Sequence, residues 1–251
     1  MDKLIEILKD FDIERTKKCD EGVWNEDAVA KCFRPCAEKI LCNGYFLVND
    51  EYIIDLGAIE LYYHEEEGDI KDYIMYHIND NKKNKSKIRD NDGRLPYFKF
   101  GSFNLHQSGV DVTFENEEKK YRASFLIRSY RLLRKGEERK LNDLTIPFDK
   151  CSTHIFDDMF YSGISFDKMH PEIKWAYYKK DDDIEKDGCS RVNVAVHYWD
   201  NESNEIKKKQ VMITENEYQN NRKLYIKAKA DVFYEKDLRP WQFKKVGIIE
   251  K

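Results

Sequence analysis

The stretch Gly57-Ala58-Ile59-Glu60-Leu61-Tyr62-Tyr63 carries a single carboxylate at the end of an apolar strand. That strand is expected over residues 52–61, after a shorter apolar and alternating run at 44–48. Asn49-Asp50 lies between the two runs and is a turn signal, so together they predict a β-hairpin. An ionised group is expensive to bury. A glutamate that ends an otherwise buried strand is therefore expected to face a cleft or a partner. The plain alternative is a solvated strand-end glutamate, because most carboxylates are structural.

Outward from the hairpin, Leu4, Ile5, Leu8 and Phe11 recur at helical spacing and predict a helix over 1–20. A second helix is expected over 27–41, interrupted near Pro35. After the hairpin come a polar connection at 64–69 and a tyrosine-rich run at 73–77. Residues 79–94 are almost all Asn, Lys, Asp and Arg without apolar periodicity, which predicts a surface loop. Further strands are expected at 95–105, 109–114 and 121–130, the last leading into a basic stretch at 131–140. Residues 153–161 suggest a short helix, and 191–199 and 208–214 alternate as strands do. No repeat or low-complexity linker marks a boundary. The economical reading is one α+β domain over 1–251, with a helical part at 1–42, a core at 43–135 and an expanded region of unassigned role at 161–229.

Composition bounds the function. Of 251 residues, 41% are hydrophobic and 14% aromatic, enough for a real core. The 44 basic and 48 acidic residues give a net charge of −4. This balance weighs against an obligate high-affinity DNA binder, which concentrates Lys and Arg, but a local footprint remains compatible with it. The chain starts without an apolar run of signal-peptide length and holds no long apolar stretch. The expectation is an intracellular protein, cytoplasmic as in a bacterial cell or nuclear, with no membrane partner. Six cysteines in such a protein are expected to be reduced thiols. Cys32, Cys36 and Cys42, taken with His64 or His77, lack the C-x₂-C spacing of structural zinc, so neither metal nor other cofactor is expected.

Four segments in order carry a family resemblance. They are Ile59-Glu60-Leu61-Tyr62, the tyrosine-rich run ending in His77, Leu95-Pro96-Tyr97-Phe98-Lys99-Phe100-Gly101, and Ser124-Phe125-Leu126-Ile127-Arg128-Ser129-Tyr130. Together they resemble the alkyladenine (3-methyladenine) DNA glycosylase family over roughly ninety residues. That family has an acidic E-T-E-A-Y strand end, then a His, a Y-V-Y-x-x-Y-G hairpin strand and a V-L-L-R-A strand. Pro240-Trp241-Gln242-Phe243 also looks like its closing P-W-R-F. The resemblance implies a curved, mainly antiparallel β-sheet flanked by helices. It implies a monofunctional glycosylase of base-excision repair, acting as a monomer on damaged double-stranded DNA, without a metal and without an obligate protein partner.

Residue by residue, Glu60 matches the general base that activates water, and Arg128 the arginine that helps hold that water. Tyr62, His77 and Tyr97 match aromatic walls that sandwich the extruded base. Phe100 matches a tyrosine that wedges into the duplex, and Gln107 falls near an asparagine that screens bases. The residue types suit the chemistry. A glycosylase extrudes its target because the sugar C1′ cannot be attacked inside a duplex. Aromatic platforms contribute ~1–3 kcal/mol per stacked base, and a positioned general base about 10²–10⁴-fold in rate. Ala58 stands where the family has its first glutamate, the wedge is Phe, and the Tyr62–His77 spacing is longer than the family's, so that His64 is a second candidate for that wall. These departures keep open a nucleic-acid or nucleotide-binding protein on the same fold, or an unrelated α+β interaction protein.

Three further expectations come from the residues alone. Arg128, set inside an apolar run, is expected to pair with a carboxylate on a neighbouring strand, and Glu60 is a candidate. Strict alternation would put Tyr97 and Phe100 on opposite faces, so they share a site only if the strand ends or bulges near Gly101. Lys82, Lys83, Lys85, Lys87 and Arg89 form a clean basic run that would contact phosphates beside the cleft. The bland reading of that run is solvated surface.

Overall fold

The computed structural model describes residues 1–72, 75, 96–106, 109–161, 171–180, 182–186, 188, 189, 191, 194–200, 205–211, 232–236 and 239–248. Two helices open the chain, α1 at Asp2–Asp20 and α2 at Glu26–Cys42. The Asn25 side chain caps α2 by accepting from the Ala28 N–H at 2.9 Å. The expected break at Pro35 does not occur, because α2 runs through it. Phe33, Cys36, Ala37, Ile40 and Leu41 are all buried on the core side of this helix. That packing outweighs the one backbone hydrogen bond that Pro35 removes.

The predicted hairpin is present. Strand β1 (Gly44–Val48) pairs antiparallel with β2 (Tyr52–Glu65). Asn49 and Asp50 both have positive φ, 54° and 57°, as a tight primed hairpin turn requires. Strands β3 (Phe103–His106), β4 (Gly109–Thr113) and β5 (Tyr121–Arg134) follow. Then come β6 (Lys150–Cys151), β7 (Ile173–Tyr177) and, near the end, β11 (Gln242–Lys244). These eight strands form one curled antiparallel sheet in the order β3-β4-β5-β2-β1-β7, with β6 added to β5 and β11 to β2. Strands β8 (Val194–Asp200), β9 (Glu205–Val211) and β10 (Val232–Lys236) form a separate sheet in the order β10-β8-β9. The expanded region thus supplies β7 to the main sheet and two strands to the smaller one. The expected strand over 95–105 begins only at Phe103 among the described residues.

Both helices cover one face of the main sheet. Leu4, Leu8, Phe11, Phe33 and Ile40 meet Ile54, Leu56, Ile59, Leu61, Phe114, Phe125 and Ile127 in one cluster. The core positions on β2 switch from even numbers (Ile54, Leu56) to odd ones (Ile59, Leu61, Tyr63). A β-bulge between Leu56 and Ile59 makes the switch. Gly57 sits in it, and a Cβ there would lie 2.7 Å from the Phe148 ring and 2.9 Å from Ser129 Oγ. The bulge therefore turns both Asp55 and Glu60 away from the helices, which an unbroken strand could not do.

Candidate functional site

Away from the helices, the face of β4, β5 and β2 is polar and buried. Glu60 is 0% exposed. The Tyr62 hydroxyl donates to its Oε2 at 2.9 Å, and Arg128 Nε lies 3.5 Å from its Oε1. The side chain of Arg128 is 14% exposed, and its Nη1 has no hydrogen-bond partner among the described residues. Burial first, then the Glu60 charge, pushes the Tyr62 hydroxyl far above its ordinary value, while Arg191 and Arg128 pull the other way. Tyr62 thus keeps its proton and donates it toward the carboxylate. A carboxylate supported in this way can accept a proton from a nearby water.

The surroundings were not all visible in the sequence. Arg191 lies 4.7 Å over the Tyr62 ring and grips Asp72 through two contacts of 2.7 and 3.0 Å. Arg239 reaches the same Asp72 at 3.1 Å and stacks 4.1 Å from the Trp241 ring. Gln242 of β11 pairs directly with Glu60. The closing Pro240-Trp241-Gln242-Phe243 segment is therefore laid along the strand that carries the carboxylate. On the other side of Glu60, Leu126 and then Asp111 continue the same row across β5 and β4. Asp111 Oδ2 lies 3.3 Å from both Asn104 Nδ2 and His106 Nε2. Asp111 could have been found from alternation: in Gly109-Val110-Asp111-Val112-Thr113, the valines point to the core and the aspartate to the face of Glu60.

The expected site residues divide clearly. Glu60, Arg128 and Tyr62 converge. Tyr97 stands farther off, its ring 4.1 Å from the Arg122 guanidinium. Arg122 is opposite His64, four residues and roughly 13 Å beyond Glu60. His64 accepts from the Asp72 N–H at 3.1 Å, and burial, followed by the Lys71 charge, lowers it to about 4, so it is a neutral acceptor at neutral pH. Phe100 is not brought to the site. Gly101, with φ at 75°, turns the chain beneath Ile5 of α1, and Phe100 lies edge-on to Phe114 with ring centroids 6.3 Å apart, on the helix side. Tyr97 and Phe100 thus lie apart, but not by strand alternation, because residues 96–99 are not a strand and 100–101 form a turn. His77, Gln107, Lys82, Lys83, Lys85, Lys87 and Arg89 lie outside the described residues.

A second buried charge cluster lies on β2 beyond the bulge. Asp55 receives Arg131 Nε at 2.8 Å, Lys180 Nζ at 2.6 Å and Lys245 Nζ at 3.0 Å. Lys245 also meets Asp182 at 2.8 Å. Arg131, expected to open a basic surface stretch, is 1% exposed and belongs to this cluster. Among the described residues, no group of three or more His, Cys, Asp or Glu is placed to hold a metal, and no helix is long and apolar enough to cross a membrane. No protein-family model, curated protein or solved structure matches the chain.

Proposed function

We propose that this chain is a monofunctional DNA glycosylase that hydrolyses the N-glycosidic bond of a flipped-out damaged purine. The observation that carries the reading is the convergence of Glu60, Tyr62 and Arg128 on one buried face of the sheet. Glu60 takes a proton from the attacking water as the oxygen bonds to C1′. The C1′–N bond breaks, and its electron pair leaves with the base. Arg128 positions the water through the guanidinium nitrogen that has no hydrogen-bond partner among the described residues. The partner is damaged double-stranded DNA, bound by a monomer, and the water needs no metal in this scheme.

The position of Phe100 favours a second reading. Its packing on the helix side removes it from the place of a duplex wedge. A protein that binds nucleic acid or a nucleotide without cleaving it would not need one. Duplexes carrying 3-methyladenine or hypoxanthine separate the two readings. Release of free base supports the glycosylase. Tight binding with every base intact supports the binding protein.

A further inference from the structure

We infer that the cleft between α1, the end of α2 and strand β7 binds a small aromatic monocarboxylate, with the Trp175 indole N–H and Lys3 holding its carboxylate. The cleft holds about 470 Å³, a volume within the range of small-molecule sites. It lies on the helix side of the sheet, at the edge formed by β7, and it stands independently of the glycosylase reading.

Two residues of β7 shape the cleft. Trp175 is 6% exposed, and its Nε1 is buried with no hydrogen-bond partner among the described residues. The indole is held in place: a Cβ on Gly44 would lie 2.6 Å from its ring, and Phe46 meets it edge-on with centroids 4.9 Å apart. A buried donor without an acceptor is costly, and a ligand oxygen would satisfy it. Tyr177, two residues on and on the same face of the strand, is 58% exposed. Its ring is open to a flat ligand, with Lys3 Nζ 5.4 Å from its centroid, and Ile7 adds an apolar contact.

The charges select the sign of the ligand. Lys39 is already engaged by Asp10 at 2.6 Å. Lys3 is in no ion pair among the described residues, and it stands on the first turn of α1, where the helix dipole favours an anion. The carbonyls that end α2 could attract a cation instead, but they are taken. Leu41 O accepts from the Lys180 ammonium at 2.9 Å, and Cys42 O and Asn43 O accept from the backbone N–H groups of Lys180 and Tyr178. Glu6 also lines the cleft and opposes a second negative charge, so a monocarboxylate fits better than a phosphate monoester.

The test titrates ¹⁵N-labelled protein with hydrocinnamate and follows the indole N–H resonances, that of Trp175 being the one missing from Trp175→Phe. Saturable movement of this resonance to lower field is expected, with binding at least about tenfold tighter than that of phenethylamine. Trp175→Phe keeps a ring beside Gly44 and is expected to bind hydrocinnamate about tenfold more weakly by calorimetry. Tyr177→Ser and Lys3→Met change exposed positions and are each expected to weaken binding by about fivefold. These two variants carry the test should Trp175→Phe fail to fold. No saturation at millimolar hydrocinnamate overturns the inference, as does an unmoved Trp175 resonance. Equal or tighter binding of phenethylamine or phenyl phosphate overturns it too, and so does wild-type affinity in the folded variants.

Discussion

Arg128 Nε stands 3.5 Å from Glu60 Oε1 across neighbouring antiparallel strands, and the carboxylate it faces is wholly buried. Removing the cation alone leaves an uncompensated charge on the inner part of the sheet. Arg128→Met is expected to lower the unfolding free energy by about 3–5 kcal/mol. The double variant Glu60→Gln/Arg128→Met is expected to lose less than the sum of the two single changes. Chemical denaturation of the four proteins measures this coupling. Strict additivity would mean that the two side chains do not interact.

The Asp55 cluster holds three cations, Arg131, Lys180 and Lys245, against two carboxylates, Asp55 and Asp182. Asp55→Asn leaves Arg131 and Lys180 without a carboxylate, while Lys245 keeps Asp182, and is expected to cost about 3–5 kcal/mol. Lys180→Met brings the charges into balance. It exposes only the need of the Leu41 and Gly44 carbonyls for a donor, at about 1–3 kcal/mol. Burial also pulls the Lys180 ammonium down to about 8, although Asp55 supports its charge. Above that pH the unfolded chain still binds a proton that the folded chain has released, so this group's contribution to stability rises with pH. The stability difference between wild type and Lys180→Met is expected to be level below about pH 7.5 and to move in favour of wild type between about pH 8 and pH 10. A difference that is flat across the whole range would contradict the assignment.

Thiol chemistry provides an independent check on burial. Cys36 and Cys42 are buried, which pushes their thiols up to about 12 and about 11. Cys151 is exposed. Partial burial pulls its thiol up, but hydrogen bonds from the Thr153 hydroxyl and nearby backbone N–H groups outweigh this and lower it. Maleimide at neutral pH is expected to label Cys151 first and to reach Cys36 and Cys42 only on unfolding. The fast phase should vanish in Cys151→Ser. Rapid labelling of Cys36 in the folded protein would count against the packing of α2.

The basic run from Lys82 to Arg89 is testable in solution. If Lys82, Lys83, Lys85 and Lys87 contact phosphates, changing all four to Gln should flatten the dependence of log affinity on log salt by about 0.9 per lost contact. An unchanged slope removes the run from any DNA footprint.

Much of this fold was legible because its signals are local. The alternation in 44–48 and 52–61, with Asn49-Asp50 between, predicted the hairpin, but β2 runs on to Glu65, so Glu60 lies inside the strand and not at its end as expected. A charge inside the apolar run before Arg128 announced its partner. What stayed hidden depends on events that periodicity does not encode. The bulge at Gly57 reverses the faces of β2, so Asp55 and Glu60 share a side although they are an odd number of residues apart. Lys180, Asp182 and Lys245 reach Asp55 only through long-range folding. The turn at Gly101 sends Phe100 toward α1, and the core packing of α2 carries that helix past Pro35.

Glu60 is proposed to activate water against a glycosidic bond, and Glu60→Gln tests this most directly. The change keeps the shape of the side chain and a hydrogen-bond acceptor for Tyr62, but it removes the proton-accepting charge. Binding and single-turnover base release are measured on the same lesion-bearing duplex for wild type and variant. Near-equal binding and a release rate about 10²–10⁴-fold lower in the variant are expected. Base release by Glu60→Gln at the wild-type rate would contradict it.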